Sequence, residues 1–485
     1  MAFQSFGFAG FLSILVLLYS ITSKKNRWLL LLSFSLIFYA SLLSLWLMFS
    51  LTFVTLISFA FGKLLHRYQD HKYQTSLLWL GIFLALLPLI LSRYSLLIAS
   101  SCNRIFSLFN SSMIFSTTST IASIGISFFV FQAIGYLIDV YLAKILPEYN
   151  LGIFFLFICF FPKILQGPIE RADKLIPQLK QWSDFNYDNL RLGVMQFTNG
   201  LFKKIVVADT LALPVNMVFA DVGKFTGLPL LLGIIMYAWQ IYFDFSGYTD
   251  MAMGVAKMFN IDLTNNFNSP YAAKNIAEFW RRWHISFSQW ILDYIFKPLQ
   301  MTFRKYGNLG NALALMITFV VCGIWHGPTL GFFIWGCLHG IYMATSVLFQ
   351  PLSKKLNKRY RFENSRTVSF FSMLLTFSMV CFAWIFFRAA NIQDAFYIVK
   401  NICKIDPGLS INTILANMAW GKKASAAAAV TVAVYFLPLF KDFTRNKVAF
   451  FSHGFYRRWF VYYSMAMCIL LLGRWGESQF IYFRF

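Results

Sequence analysis

The chain has 485 residues, 58% of them hydrophobic and only 13% charged. Soluble domains carry about a quarter charged residues, so this composition argues against a soluble enzyme, and its hydrophobicity excludes disorder. The 42 Lys and Arg against 19 Asp and Glu leave a net charge of +23. These positives sit in short clusters between long apolar runs, the pattern of a membrane protein with basic loops rather than of a nucleic-acid binder.

The first apolar run covers 6–21 and has neither a basic region before it nor a small-residue cleavage site after it. It reads as a retained span, not a cleaved signal. Lys24, Lys25 and Arg27 follow and predict a cytoplasmic loop. Residues 29–62 are long enough for two short spans with a tight turn near Ser44, closed by Lys63, Arg67 and Lys72. The polar segment 101–119 suits an outside loop. Further runs lie near 76–98, 120–142, 151–166, 194–212, 227–245, 309–325, 330–349, 369–387, 424–440 and 459–473. The loop 350–368, with Lys354, Lys355, Lys358, Arg359, Arg361 and Arg366, is a second cytoplasmic candidate. At roughly 20 apolar residues per span, this predicts about ten to thirteen spans or partial spans. No soluble domain is left over, so the expectation is one all-α polytopic membrane domain over 1–485.

Four stretches break the apolar pattern. Polar groups at membrane depth persist only when buried in protein or lining a wet cavity. Gln166-Gly167-Pro168-Ile169-Glu170-Arg171 closes a Phe-rich run and reads as a helix stop whose acidic and basic neighbours could pair. Tyr242 to Asp250 carries Asp244 and Asp250, six apart and so not required to share a helix face. Structural ion pairing or the lining of a polar cavity both fit. The densest stretch runs from Asn275 through Trp280-Arg281-Arg282-Trp283-His284 to Trp290, then Asp293 and Lys297-Pro298. It is too polar for a lipid-facing span and too aromatic for a free loop, so an amphipathic or re-entrant element is expected. Interfacial anchoring accounts for the Trp and Arg residues, and less well for His284. The fourth is Cys322-Gly323-Ile324-Trp325-His326-Gly327-Pro328, where irregular backbone is expected around His326, with His339 further along the next run. A satisfied structural role and a functional one stay open for both.

The inventory limits the chemistry. Of six His, three (66, 71 and 453) lie in basic loops and three (284, 326 and 339) in apolar surroundings. There is no Gly-x-Ser-x-Gly elbow and no phosphate-binding loop. The seven Cys are scattered, without zinc-ligand spacing, so no metal is expected. Histidine as general base remains, since an imidazole with pKa near 6.5 can take a proton from an attacking hydroxyl. Acyl transfer from a thioester to an alcohol is compatible with these residues.

Together these motifs resemble the membrane-bound O-acyltransferase (MBOAT) family, in its bacterial alginate O-acetyltransferase-like branch. The match also includes Ile124 to Phe129 with Tyr136 to Tyr141, Phe202 to Thr210, Asn266 to Tyr271, Ile385 to Arg388 and the terminal Phe480 to Phe485, in order along the chain with a core at about 120–345. The resemblance implies a ring of tilted helices with re-entrant segments and a central funnel or tunnel. It implies that His326 and His284 are catalytic. Asp244, Tyr248, Asp250, Trp280, Arg281, Arg282, Trp325 and His339 become substrate-binding or tunnel-lining candidates. No bound cofactor is implied, only an acyl thioester donor such as acetyl-CoA or an acyl carrier. The implied partners are membrane lipids, an extracytoplasmic SGNH-type acetyltransferase and a glycan acceptor, with no nucleic acid, in the bacterial plasma (inner) membrane. The implied reaction is O-acetylation of an exopolysaccharide or cell-wall glycan. Lys297-Pro298-Leu299 departs from the branch's Gly-Gly-Asn-rich turn, which bears on docking and acceptor choice. Alternatives are D-alanyl transfer to teichoic acid, a glycan exporter whose substrate path would account equally for the polar breaks, and a membrane scaffold for glycan synthesis.

Overall fold

The computed structural model describes residues 2–108, 125–181, 184–360, 365–404, 411–437, 440, 443–444, 447–476 and 480–481. Within these the chain is helical, with a single antiparallel bridge between Phe267 and Trp283. Arg361, Ile124, the last part of the polar segment 101–119 and the final four residues of the terminal motif fall outside. The backbone forms two compact units, residues 1–197 with 251–264, and 198–250 with 265–485.

The first unit starts with α1 (Phe6–Ile21), α2 (Arg27–Ala40) and α3 (Leu45–Arg67). Ser5 and Ser44 cap α1 and α3 by accepting from the backbone N–H groups of Phe8 and Leu47, which satisfies a donor that a helix start leaves open. The turn predicted near Ser44 is where α2 gives way to α3. α4 (Gln74–Leu108) carries Pro88 in its interior, where the Ser92 hydroxyl donates to the Pro88 carbonyl and accepts from the Trp46 indole. α4 takes in residues 101–108, which the composition had placed in a loop. α5 (Ile126–Tyr141) and α6 (Leu151–Cys159) follow. α6 stops seven residues short of the predicted Gln166-Gly167-Pro168 break. Pro162 disfavours helical backbone at the preceding residue, and the chain then turns through a buried Lys163 whose ammonium donates to Gln132. Glu170 accepts from the Thr264 amide and hydroxyl, a tie found only in the structure. α7 (Ala172–Lys180) and α8 (Tyr187–Leu201) complete the run.

In the second unit the predicted 194–212 run is not one straight helix. A π-helical segment, Phe202–Ala208, separates α8 from α9 (Asp209–Ala220). α10 (Leu228–Met258) continues thirteen residues past the apolar run and takes the whole Asp244–Asp250 motif into helix. The Trp-rich segment is broken as expected, into α11 (Ile276–Arg282), α12 (Ile285–Ile291), a π-helical turn and α13 (Lys297–Thr302). The first two have seven residues and the third six, far short of a span. α14 (Gly307–His326) and α15 (Leu330–Leu348) form a hairpin. The basic stretch after it is not a loop throughout: α16 (Gln350–Tyr360) is helical, with Pro351 in its first turn, where a missing N–H costs nothing. α17 (Arg366–Arg388), α18 (Ile392–Asn401), α19 (Ile411–Asn417), α20 (Lys422–Phe436) and a last long helix, Phe455–Leu472, follow.

Among the described residues, six helices are long and apolar enough to cross a membrane: α3, the first part of α4, α10, α14, α15 and α17. α1 and α5 are shorter apolar helices of 16 residues. The remaining predicted runs are shortened, bent or too polar to meet that criterion among the described residues.

Glycine sets the approach of α14 to α15. A β-carbon at Gly323 would lie 2.4 Å from the Phe332 carbonyl oxygen, and one at Gly336 would lie 2.5 Å from that of Phe319. Small residues permit this backbone contact, the main source of helix association in lipid. Gly323→Ala is expected to destabilise the purified protein by about 1–3 kcal/mol, read as a lowered thermal midpoint. Gly10→Ala, which meets nothing within 4 Å, is expected to leave the midpoint unchanged or slightly raised.

Candidate active site

His326 is the last residue of α14, so the helix holds through it and breaks just after, at Gly327-Pro328-Thr329. The ring is buried. It lies edge-on to Trp335 of α15 and to Phe387 of α17, with centroids 4.9 Å away in both cases, and beside its neighbour Trp325 at 4.5 Å. Three helices therefore fix its position, and the apolar setting excludes bulk water.

His339 lies on α15, one turn beyond Trp335, at 4.8 Å between rings. The Trp280 indole N–H donates to His339 Nδ1 at 3.3 Å. Trp335 is thus in contact with both imidazoles. It is a residue that no sequence motif singled out, because a lone Trp in an apolar run carries no signal.

His284 has left-handed backbone, φ 43° and ψ 54°, a conformation that costs an ordinary residue of order 1–3 kcal/mol. The strands of chain on either side hold it there. The Asn268 amide donates to the Arg282 carbonyl and the Ile285 amide to the Asn266 carbonyl, both at 3.0 Å. The Asn266 side-chain oxygen accepts from the Ser286 amide and hydroxyl at 3.1 and 2.7 Å. The buried imidazole meets Phe245 of α10 edge-on at 4.7 Å and Phe287 at 4.9 Å. Phe287 also lies 4.4 Å from Trp325 and 6.5 Å from His326. Phe287 and Trp335 thus join the three histidines into one aromatic cluster.

The two α10 carboxylates lie in a separate, lysine-rich cluster. The π-helical segment presents successive lysines to them. Lys204 bridges Asp209 and Asp244 at 2.8 Å each, with all three buried. Asp244 also accepts from the Ile481 amide at 2.9 Å, and Phe480 lies under the Lys204 ammonium at 4.5 Å and edge-on to buried Tyr248 at 5.0 Å. Lys203 pairs with Asp250 at 2.7 Å, and Asn199 donates to the same carboxylate oxygen at 3.1 Å. The geometry makes Asp244 and Asp250 ion-pair partners that tie α10 to the π-helical segment. Phe245, between them, reaches His284.

Arg281 and Arg282 diverge. Arg282 pairs with Glu278 at 2.6 Å. Arg281 is exposed and lines a cavity of about 550 Å³ whose walls include Trp280, Ser288, Thr318, Phe319 and Cys322. A second, more apolar cavity of about 660 Å³ is lined by Trp239, Tyr242, Tyr271, Phe377 and Tyr435.

The family model for MBOAT, the membrane-bound O-acyltransferase family, matches residues 34–392. A peptidoglycan O-acetyltransferase of Helicobacter pylori is 34% identical over 382 residues, covering 72% of this chain and 68% of that one. A probable alginate O-acetylase AlgI of Pseudomonas aeruginosa is 34% identical over 394 residues, covering 79% and 71%. A teichoic acid D-alanyltransferase of Bacillus subtilis is 30% identical over 275 residues, covering 55% and 69%.

Proposed function

Given that the chain belongs to the membrane-bound O-acyltransferase family, we propose that it transfers an acetyl group from a cytoplasmic thioester donor toward a hydroxyl of an exopolysaccharide or cell-wall glycan. It is a multi-pass membrane acyltransferase. The observation that carries the proposal is the burial of His326 at the end of a membrane-length helix, fixed by Trp335 and Phe387 and sharing Phe287 with His284.

In this reading His326 takes the proton from the attacking hydroxyl. The oxygen forms the ester bond to the acyl carbon, the carbon–sulfur bond breaks, and the leaving thiolate takes the proton held by His326. The thiolate is a good enough leaving group that the step needs no Lewis acid. His284, held in a strained conformation, orients or polarises the reacting groups. The donor is acetyl-CoA or an acyl carrier, and an SGNH-type acetyltransferase outside the membrane completes delivery to the glycan. The setting is the bacterial plasma membrane. Support for acetyl transfer over D-alanyl transfer comes from the two O-acetyl relatives, which align over more of the chain than the D-alanyltransferase does.

The test is glycan ester content in cells lacking the chain, then complemented with it. O-acetyl esters are expected to vanish and return, with D-alanyl esters unchanged. Unchanged O-acetyl content on deletion would overturn the proposal, and loss of D-alanyl esters would replace it with the teichoic acid reading.

A further inference from the structure

Away from the histidine cluster, the second unit carries an apolar groove and a basic segment that the acyl-transfer reading does not use. The groove is the cavity of about 660 Å³ walled by α10, α17 and α20. Its floor is aromatic: Tyr271 lies 5.3 Å from Trp239 of α10 and 5.1 Å from Phe377 of α17. Its rim is apolar and exposed, with Phe370 of α17 at 58% and Phe436 of α20 at 78%. α10 and α17 are both of membrane-crossing length, so exposed apolar side chains on them meet hydrocarbon rather than water. A concave apolar surface of this size takes a flexible hydrocarbon chain.

The basic segment leads into the same groove. Residues 350–366 carry six Lys and Arg against one acidic residue, Glu363. α16 joins the membrane-length helices α15 and α17 and so lies at the membrane interface, with Lys354, Lys355 and Lys358 exposed on it. Arg366, also exposed, is the first residue of α17. Phe370, Leu374 and Phe377 follow it at four, eight and eleven residues, the spacing of one helix face. Arg366 therefore stands one turn from the groove wall, on the same face. None of these four cations pairs with a carboxylate among the described residues.

We propose that the groove holds an acyl chain of an anionic phospholipid such as phosphatidylglycerol, with its phosphate at Arg366. A guanidinium forms two parallel, charge-assisted hydrogen bonds to a phosphate. The lysines of α16 draw anionic lipid to this face, each basic side chain at a membrane surface being worth about 1 kcal/mol toward it. Apolar groove and cation select different parts of one molecule. A neutral lipid satisfies only the first, and a soluble anion only the second. The bound chain fills the space between α10, α17 and α20.

The experiment places the full chain in nanodiscs of equal phosphatidylcholine and phosphatidylglycerol, releases it, and weighs it by native mass spectrometry. The wild type is expected to retain one phosphatidylglycerol, at least about fivefold in preference to phosphatidylcholine. Arg366→Gln should lower that preference about fivefold. Leu374→Trp, which fills the groove, should lose the retained lipid. Leu375→Trp, at an exposed position of the same helix outside the groove, should keep it. Equal retention of the two lipids by the wild type overturns the proposal, as does an unchanged preference in Arg366→Gln. Equal effects of Leu374→Trp and Leu375→Trp place the lipid elsewhere and also overturn it. A retained polypeptide mass in place of the lipid, lost in Leu374→Trp, would give the groove to a protein partner and overturn it as well.

Discussion

Replacing His326 by Gln is expected to cut acyl-transfer turnover by about 10²–10⁴-fold, the usual contribution of a general base, with KM for the donor changed by less than about threefold. Gln is the informative substitution. It keeps a polar side chain of similar size between Trp335 and Phe387, so the ring packing that fixes α14, α15 and α17 survives. It cannot accept a proton at neutral pH. His326→Ala should be as inactive, but it also leaves a void in a close-packed aromatic cluster, which costs stability by itself. The comparison is made at equal amounts of folded protein in the membrane. Near-normal turnover in His326→Gln would remove His326 as the base and assign the proton transfer to another group. If His284→Gln proved the more damaging of the two, the proton transfer would move to that residue.

Lys204→Met is expected to be among the most destabilising single changes in the chain. Lys204 is buried and neutralises two buried carboxylates, Asp209 and Asp244, at 2.8 Å. Removing one member of a buried ionic group leaves uncompensated charge and costs about 3–5 kcal/mol. The variant should fail to accumulate, or should melt well below the wild type. The physical cause can be isolated. Lys204→Met combined with Asp209→Asn and Asp244→Asn removes the stranded charges and should recover much of the loss. If the triple variant is as unstable as the single one, charge burial is not the reason. By contrast, the Lys24–Asp184 pair, with Asp184 largely exposed, should contribute little, because solvent screens it.

What the sequence by itself determined is the class of molecule and the places where polar groups interrupt its apolar runs. Apolar run length is a direct consequence of bilayer thickness, so the helices at α2, α3, α14, α15 and α17 were legible from composition alone. His326 and His284 were legible as candidates because polar residues interrupting apolar runs are expensive and therefore informative. The order of motifs was enough to expect the family.

Only the tertiary structure decided where helices bend and what each polar group holds. The π-helical turn at Phe202–Ala208 and the run of α10 through Asp244 and Asp250 are tied to groups distant in sequence. Lys204, five and forty residues from its two partners, shows why. Burial of a charge is affordable only where the fold delivers an opposite one, and no local pattern records that delivery. The same holds for Trp335, an ordinary apolar residue in its own segment, which takes its place only when three helices bring it and Phe387 against one imidazole.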